Sequence, residues 1–144
     1  MPRHARMRRS DDFRRTVRHG VRAGRRSVVV HALPVGSAVL DQVADPAEGS
    51  LVGFVVGKAV GTAVHRNRVR RRLRHLVRPP LSSLEQPTLV VVRALPPAAS
   101  AGDELGVDLA KAWTAALAKL TGADLSRAHQ TGTRSRARVG TSQR

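Results

Sequence analysis

Seven arginines, Arg66, Arg68, Arg70, Arg71, Arg72, Arg74 and Arg78, crowd one short stretch, and no acidic residue between Glu48 and Glu85 neutralises them. Guanidinium groups at this density do one job well. They hold phosphate oxygens through paired, charge-assisted hydrogen bonds. They do not by themselves break a bond, and groups that would do so are sparse. Hydrolysis needs a general base, a metal site, or a nucleophile with an orienting partner. His4, His19, His31, His65, His75 and His129 are scattered, and no pair has metal-ligand spacing with an acidic partner. Asp11 and Asp12 are the one adjacent acidic pair, and a helix start accounts for them. Gly53, Gly57 and Gly61 lack the spacing and the Lys-Ser/Thr end of a phosphate loop. The chain has no cysteine, so disulfides and thiolate metal sites are excluded. The residues point to binding, with any reaction carried by a partner.

The elements that must position these arginines follow from periodicity. Val69, Leu73, Leu76 and Val77 recur at the spacing of a buried helical stripe. Asn67, Arg68, Arg70, Arg71, Arg74, His75 and Arg78 spread over the other side. One face can dock on a core while the other presents fixed cations. A net charge of +16 on 144 residues calls for a polyanionic partner. Arginine outnumbers lysine by 23 to 3, as suits phosphate contact and base stacking. No apolar run approaches the roughly 20 residues of a membrane span, and the basic N-terminus leads into Ser10-Asp11-Asp12, not an apolar signal core. The expectation is a cytoplasmic protein with no membrane partner.

In chain order, residues 1–9 read as a flexible basic arm, residues 10–122 as a single RNA-binding domain, and residues 123–144 as a disordered basic tail. Ser10 suits an N-cap, with Asp11 and Asp12 in the first turn. The short helix carries Phe13 and Val17 at i, i+4 and ends at Gly20. Spacing alone makes Phe13 a core anchor. Residues 21–26 read as a basic loop and Ser27–Leu33 as a strand. Residues 34–50 form a long acidic hairpin connection, with room for an extra strand. Leu51–Val56 reads as a second strand, buried on both faces or central because it is largely apolar. Gly61 allows a turn, Thr62 caps the arginine helix, and Pro79-Pro80 stops it. Pro87–Leu95 is a third strand. Ser100 and Asp103 resemble a capping box for a last helix with the stripe Leu105, Leu109, Ala112, Trp113, Ala116 and Leu120, closed by Gly122. The expected fold is α+β, a small α-β sandwich in the order α-β-β-(β)-α-β-α.

The run Val52-Gly53-Phe54-Val55-Val56-Gly57-Lys58, followed by Val60-Gly61-Thr62-Ala63-Val64-His65-Arg66-Asn67-Arg68-Val69-Arg70-Arg71, resembles the signature of the bacterial ribonuclease P protein component. The likeness spans roughly residues 8 to 121 and includes the helix that carries Asp12-Phe13 and closes with His19-Gly20. It implies a ribosomal-protein-like sandwich with a left-handed βαβ crossover, although general chirality rules favour a right-handed one. It also implies an accessory subunit of an endoribonuclease. The catalytic RNA would carry out Mg²⁺-dependent removal of the 5′ leader from precursor tRNA, with Mg²⁺ held mainly by RNA.

The likeness further implies that Lys58, Arg66, Asn67, Arg68, Arg70, Arg71 and Arg74 face RNA, and that Phe13, Val17 and His31 line a cleft for the single-stranded leader. Phe13 thereby becomes a ligand contact as well as a core anchor. The chain departs from the family in four places. Ala59 replaces the second basic residue before the helix. Val17 and His31 stand where aromatics are common. Arg72 replaces an apolar residue and would extend the RNA face. With only 2% aromatic residues, the cleft should rely more on charge than on stacking. Two other readings compete. One is a structural RNA-binding protein of ribosomal type. The other is a self-sufficient nuclease using His31 or Asp12, which the sparse acid and histidine census disfavours.

Overall fold

The valine runs Val28–Val30 and Val90–Val92 are buried throughout, as expected where both faces of a sheet are covered. The computed structural model describes residues 6–7, 10–34 and 49–122. Among them lie helix α1 (Ser10–His19), strands β1 (Val21–Gly24), β2 (Val28–Pro34) and β3 (Leu51–Val55), helix α2 (Ala63–Ser82), strand β4 (Thr88–Ala94) and helix α3 (104–122). The sheet order is β1-β2-β4-β3. β1 and β4 both pair antiparallel with β2, and β3 runs parallel to β4.

Alternation splits the sheet into two faces. Val28, Val30, Ala32, Val52, Val90, Val92 and Ala94 meet Val69, Leu73 and Val77 of α2 and Leu105, Leu109 and Trp113 of α3 in the main core. Leu33, Leu51, Leu89 and Val91 face the other way, with Met7 and Phe13. Gly20 lets α1 approach that face closely: its N–H bonds to the Thr16 carbonyl at 3.0 Å, and a Cβ there would lie 2.5 Å from the Ala32 carbonyl oxygen. Asp108 on α3 accepts from the Ser27 amide at 3.2 Å and hydroxyl at 2.6 Å, tying α3 to the start of β2.

Several expectations are corrected. The segment 21–26 is not simply a loop. Val21 and Ala23 turn inward and Arg22 outward, a two-residue period hidden in a basic stretch; the extra strand expected within 34–50 lies almost wholly outside the described residues. The connection between β2 and β3 is no hairpin, since β4 lies between them; its residues 35–48, like 123–144 and most of the arm, fall outside the described set. β3 is an edge strand. Of the two readings of its apolar run, burial on both faces holds and a central place does not; residues 6–7 cover part of its outer edge, where the Met7 amide donates to the Val52 carbonyl at 2.9 Å. Met7 is buried there, so this part of the expected flexible arm is held.

Pro79-Pro80 do not stop α2. Each removes one amide donor, but both stand in the final turn. The hydroxyls of Ser82 and Ser83 donate to the Pro79 carbonyl at 3.0 Å each. Buried Leu81 extends the stripe of Val69, Leu73 and Val77 and holds the extra turn. The expected capping box is also absent. Ser100 ends a 3-10 turn (Pro96–Ser100) and its hydroxyl donates to Pro97. Gly102, at φ 57°, then redirects the chain into α3.

Candidate nucleic-acid interface

The arginine helix starts where Gly61 adopts φ 149°, a conformation side chains rarely tolerate. Thr62 caps it: the Thr62 hydroxyl accepts from the His65 amide at 3.3 Å. The first turn holds no acid, and Arg66 and Arg68 follow at once. That placement opposes the helix dipole, which favours anions at this end. The helix therefore concentrates positive potential where an incoming anion gains most.

The guanidiniums are not all on the side away from the core. Arg66, Arg70 and Arg74 recur every four residues, form a half-buried row along one flank of the stripe, and lie closer to the sheet than expected. The Nε atoms of Arg66 and Arg74 are buried without a hydrogen-bond partner. An unpaired buried donor costs on the order of 1–3 kcal/mol, so the free protein leaves this row unsatisfied. Burial, then the charges of Arg6, Arg70 and Arg71, push the Arg74 pKa down. Arg68, Arg71 and Asn67 are exposed, as is Lys58 in a 3-10 turn (Lys58–Val60) just before the helix. Arg72 is half-buried on the opposite flank, beside Leu76.

The cleft residues share the α1 face of the sheet without touching as one cluster. The far end of the Phe13 ring reaches Gly53, where a Cβ would fall 2.2 Å from the ring. Arg22, His31, Val91 and Gly53 form one row across the four strands. At about 4.8 Å per strand, Gly53, the residue Phe13 covers, lies roughly 10 Å across the sheet from His31. Val17 lies one turn beyond Phe13 and is 43% exposed. The next row holds Val29, Arg93 and Val55. Arg93 and Val55 are exposed there, giving the cleft an open floor. Arg22 and Arg93 are functional candidates that sequence reasoning passed over. The usable signal was an arginine at the outward phase of an otherwise apolar strand.

His31 is buried and its Nδ1 has no hydrogen-bond partner. Burial foremost, then Arg22 and Arg93, hold its pKa below the ordinary value of 6.5. The imidazole is thus neutral at physiological pH and meets a ligand as a hydrogen-bonding group. The shift also has a stability consequence. Below pH 6.5 the unfolded chain takes up this proton before the folded one does, so stability falls as pH drops toward the folded value and is fully present above 6.5. The urea midpoint should decline as the pH falls below 6.5, and should decline less in His31→Gln. Equal slopes in both chains would assign the effect to other groups.

An α+β sandwich with an acid-free guanidinium row on one helix and a basic cleft on the opposite sheet face defines a nucleic-acid-binding protein. The family model described as Ribonuclease P matches residues 1–120. The chain belongs to that family, as a ribonuclease P protein component. It is 51% identical over 118 residues to the ribonuclease P protein component of a Nocardioides species, covering 81% of this chain and 95% of that protein. It is 49% identical to that of Streptomyces bikiniensis over 122 residues, covering 85% and 96%. The fold matches the Staphylococcus aureus RNase P protein (TM-score 0.63, 23% identity, 78% of this chain and 94% of that one). It also matches the Thermotoga maritima RNase P protein (TM-score 0.57, 20% identity, 74% and 92%). No helix among the described residues is long and apolar enough to cross a membrane.

Proposed function

We propose that this chain binds the catalytic RNA of ribonuclease P along α2 and the 5′ leader of precursor tRNA in the α1 cleft, promoting endonucleolytic removal of the leader in the cytoplasm. The observation that carries the reading is the row Arg66, Arg70 and Arg74, half-buried, free of lining acids, with two Nε donors unpartnered. Guanidiniums fixed on a packed helix engage phosphates and need no base readout. Lys58, Asn67, Arg68 and Arg71 extend the contact toward solvent. In the cleft, Phe13 offers a stacking face, Val17 and Val55 offer apolar walls, and Arg22 and Arg93 offer charge around neutral His31. An unpaired strand suits such a surface, since each exposed base has a face to stack and each linkage a phosphate to neutralise.

Among the described residues no three His, Asp or Glu side chains gather to hold a metal ion. In this reading Mg²⁺ is held mainly by RNA phosphates, which the chain's positive charge helps to screen. Bond cleavage is assigned to the RNA subunit. Adding the purified chain to its cognate RNA should raise leader cleavage at low Mg²⁺. Unchanged cleavage and substrate affinity at physiological ionic strength would overturn the reading. Recovery of the chain with ribosomal particles instead of ribonuclease P RNA would favour a structural RNA-binding role.

A further inference from the structure

We propose that the outer edge of β3 holds a phosphate site of its own, in which Arg6, Arg70 and Arg74 close around one phosphodiester of bound RNA. This rests on the RNA-binding reading for the identity of the ligand, but the site itself is argued from the local geometry. A groove of about 160 Å³ wraps the edge of β3 at Gly53. Phe13 reaches it from the α1 side, Arg70 and Arg74 from the α2 side, and Arg6 from the N-terminal segment. Both phenylalanines of the chain line it, and among the described residues no carboxylate does.

Three features mark the groove as incomplete in the free protein. First, the Arg74 Nε is buried and has no hydrogen-bond partner. Second, Arg6 comes to the helix from a distant part of the chain, and its like charge acts on Arg74 together with those of Arg70 and Arg71. Third, the segment that delivers Arg6 meets β3 through the bridge of Arg6 to Val52, with the Met7 amide bonded to the Val52 carbonyl and the Met7 side chain buried. That attachment holds against the mutual repulsion of the three guanidiniums. A phosphate among the three guanidiniums reverses the sign of that interaction and supplies acceptors for the unpartnered donor. Phe13 or Phe54 then offers a stacking face to the adjoining base. The groove lies where the cleft on one face meets the arginine row on the other. The phosphate can therefore come from the leader or from the catalytic RNA.

The test uses the full chain and Arg6→Gln, in which an exposed charge is lost and no core contact is removed. Inorganic pyrophosphate serves as the probe and hydrogen exchange at the Met7 amide as the readout. Pyrophosphate should slow exchange about tenfold in the parent chain and leave Arg6→Gln unaffected. Exchange indifferent to pyrophosphate in the parent, or equally slowed in both chains, overturns the site. Two RNA arms then identify the source. Arg6→Gln should weaken binding about tenfold and flatten the salt dependence by about one contact. If this is confined to precursor tRNA bound by the holoenzyme and absent for tRNA lacking a leader, the phosphate is the leader's. If it appears in binding to the catalytic RNA, the phosphate is that RNA's. Unchanged affinity in both arms overturns the assignment to RNA. Failure of the parent chain to promote cleavage would sink the proposed function and leave the pyrophosphate result standing on its own.

Discussion

Replacing Arg66, Arg70 and Arg74 together by alanine should weaken binding to the catalytic RNA by about a hundredfold or more at physiological salt, and lower the slope of log affinity against log salt by about two to three. The argument is positional. These three share one flank of α2, at four-residue spacing, and are held half-buried by the packing of the helix. Each therefore spends little side-chain freedom on contacting a phosphate. Exposed Arg68 and Arg71 must be ordered on binding, so single alanine variants there should cost less. The free protein should respond in the opposite direction. Like charges one turn apart repel, and the buried Nε donors of Arg66 and Arg74 lack partners, so the triple variant should melt at the same temperature as the parent or slightly higher. A triple variant that lost stability and affinity in parallel would show that the row supports the fold and is not a binding surface. A salt slope unchanged from the parent would place the RNA elsewhere.

Leu73→Ala should have the largest effect on folding. Leu73 is fully buried at the middle of α2, between Val69 and Val77 on the stripe that meets the sheet. Truncating such a leucine costs about 2–5 kcal/mol, depending on how far the site collapses. Small domains have about 5–15 kcal/mol in total, so a large share is lost. Trp113, the single tryptophan, is buried on α3 in the same core and reports the transition by fluorescence. The urea midpoint should fall with little change in slope. A loss below about 1 kcal/mol would mean that α2 does not rest on this core. Saturating catalytic RNA should recover part of the loss, because a ligand of the folded state alone stabilises it by mass action.

The arginine helix was legible because two periodicities coincide in it: an apolar stripe at helical spacing and cations nearly everywhere else. Its N-terminus was legible as well, since Gly61 and Thr62 each have one evident use. Its C-terminus was not. Pro79-Pro80 is a strong local stop, but the serines after it and the burial of Leu81 are stronger together. The rank of β3 within the sheet was hidden for a different reason. Continuous apolar character reports that both faces are covered, and does not report which strands lie on either side. β1 was masked by composition, since arginines on the outward phase made a strand look like a loop. The site divides along the same line. Contacts carried by one helix were readable from spacing. Arg6, Arg22 and Arg93 matter only through what other strands bring beside them, and spacing is blind to that.

The insertion of β4 between β2 and β3 governs the order in which this chain can become a protein. During synthesis the whole arginine helix precedes Thr88–Ala94. Until that strand arrives, β2 and β3 have no common partner, and the stripe of α2 has only part of a surface to cover. The β1–β2 hairpin can form early and locally. The rest awaits pairings between residues far apart in sequence, such as Leu33 with Leu89 and Leu51 with Leu89. Closing such loops before any contact rewards them slows folding. For that interval the nascent chain presents a polycation whose core is unfinished. A nearby polyanion that engages the arginines early acts as a folding partner before it is a functional one.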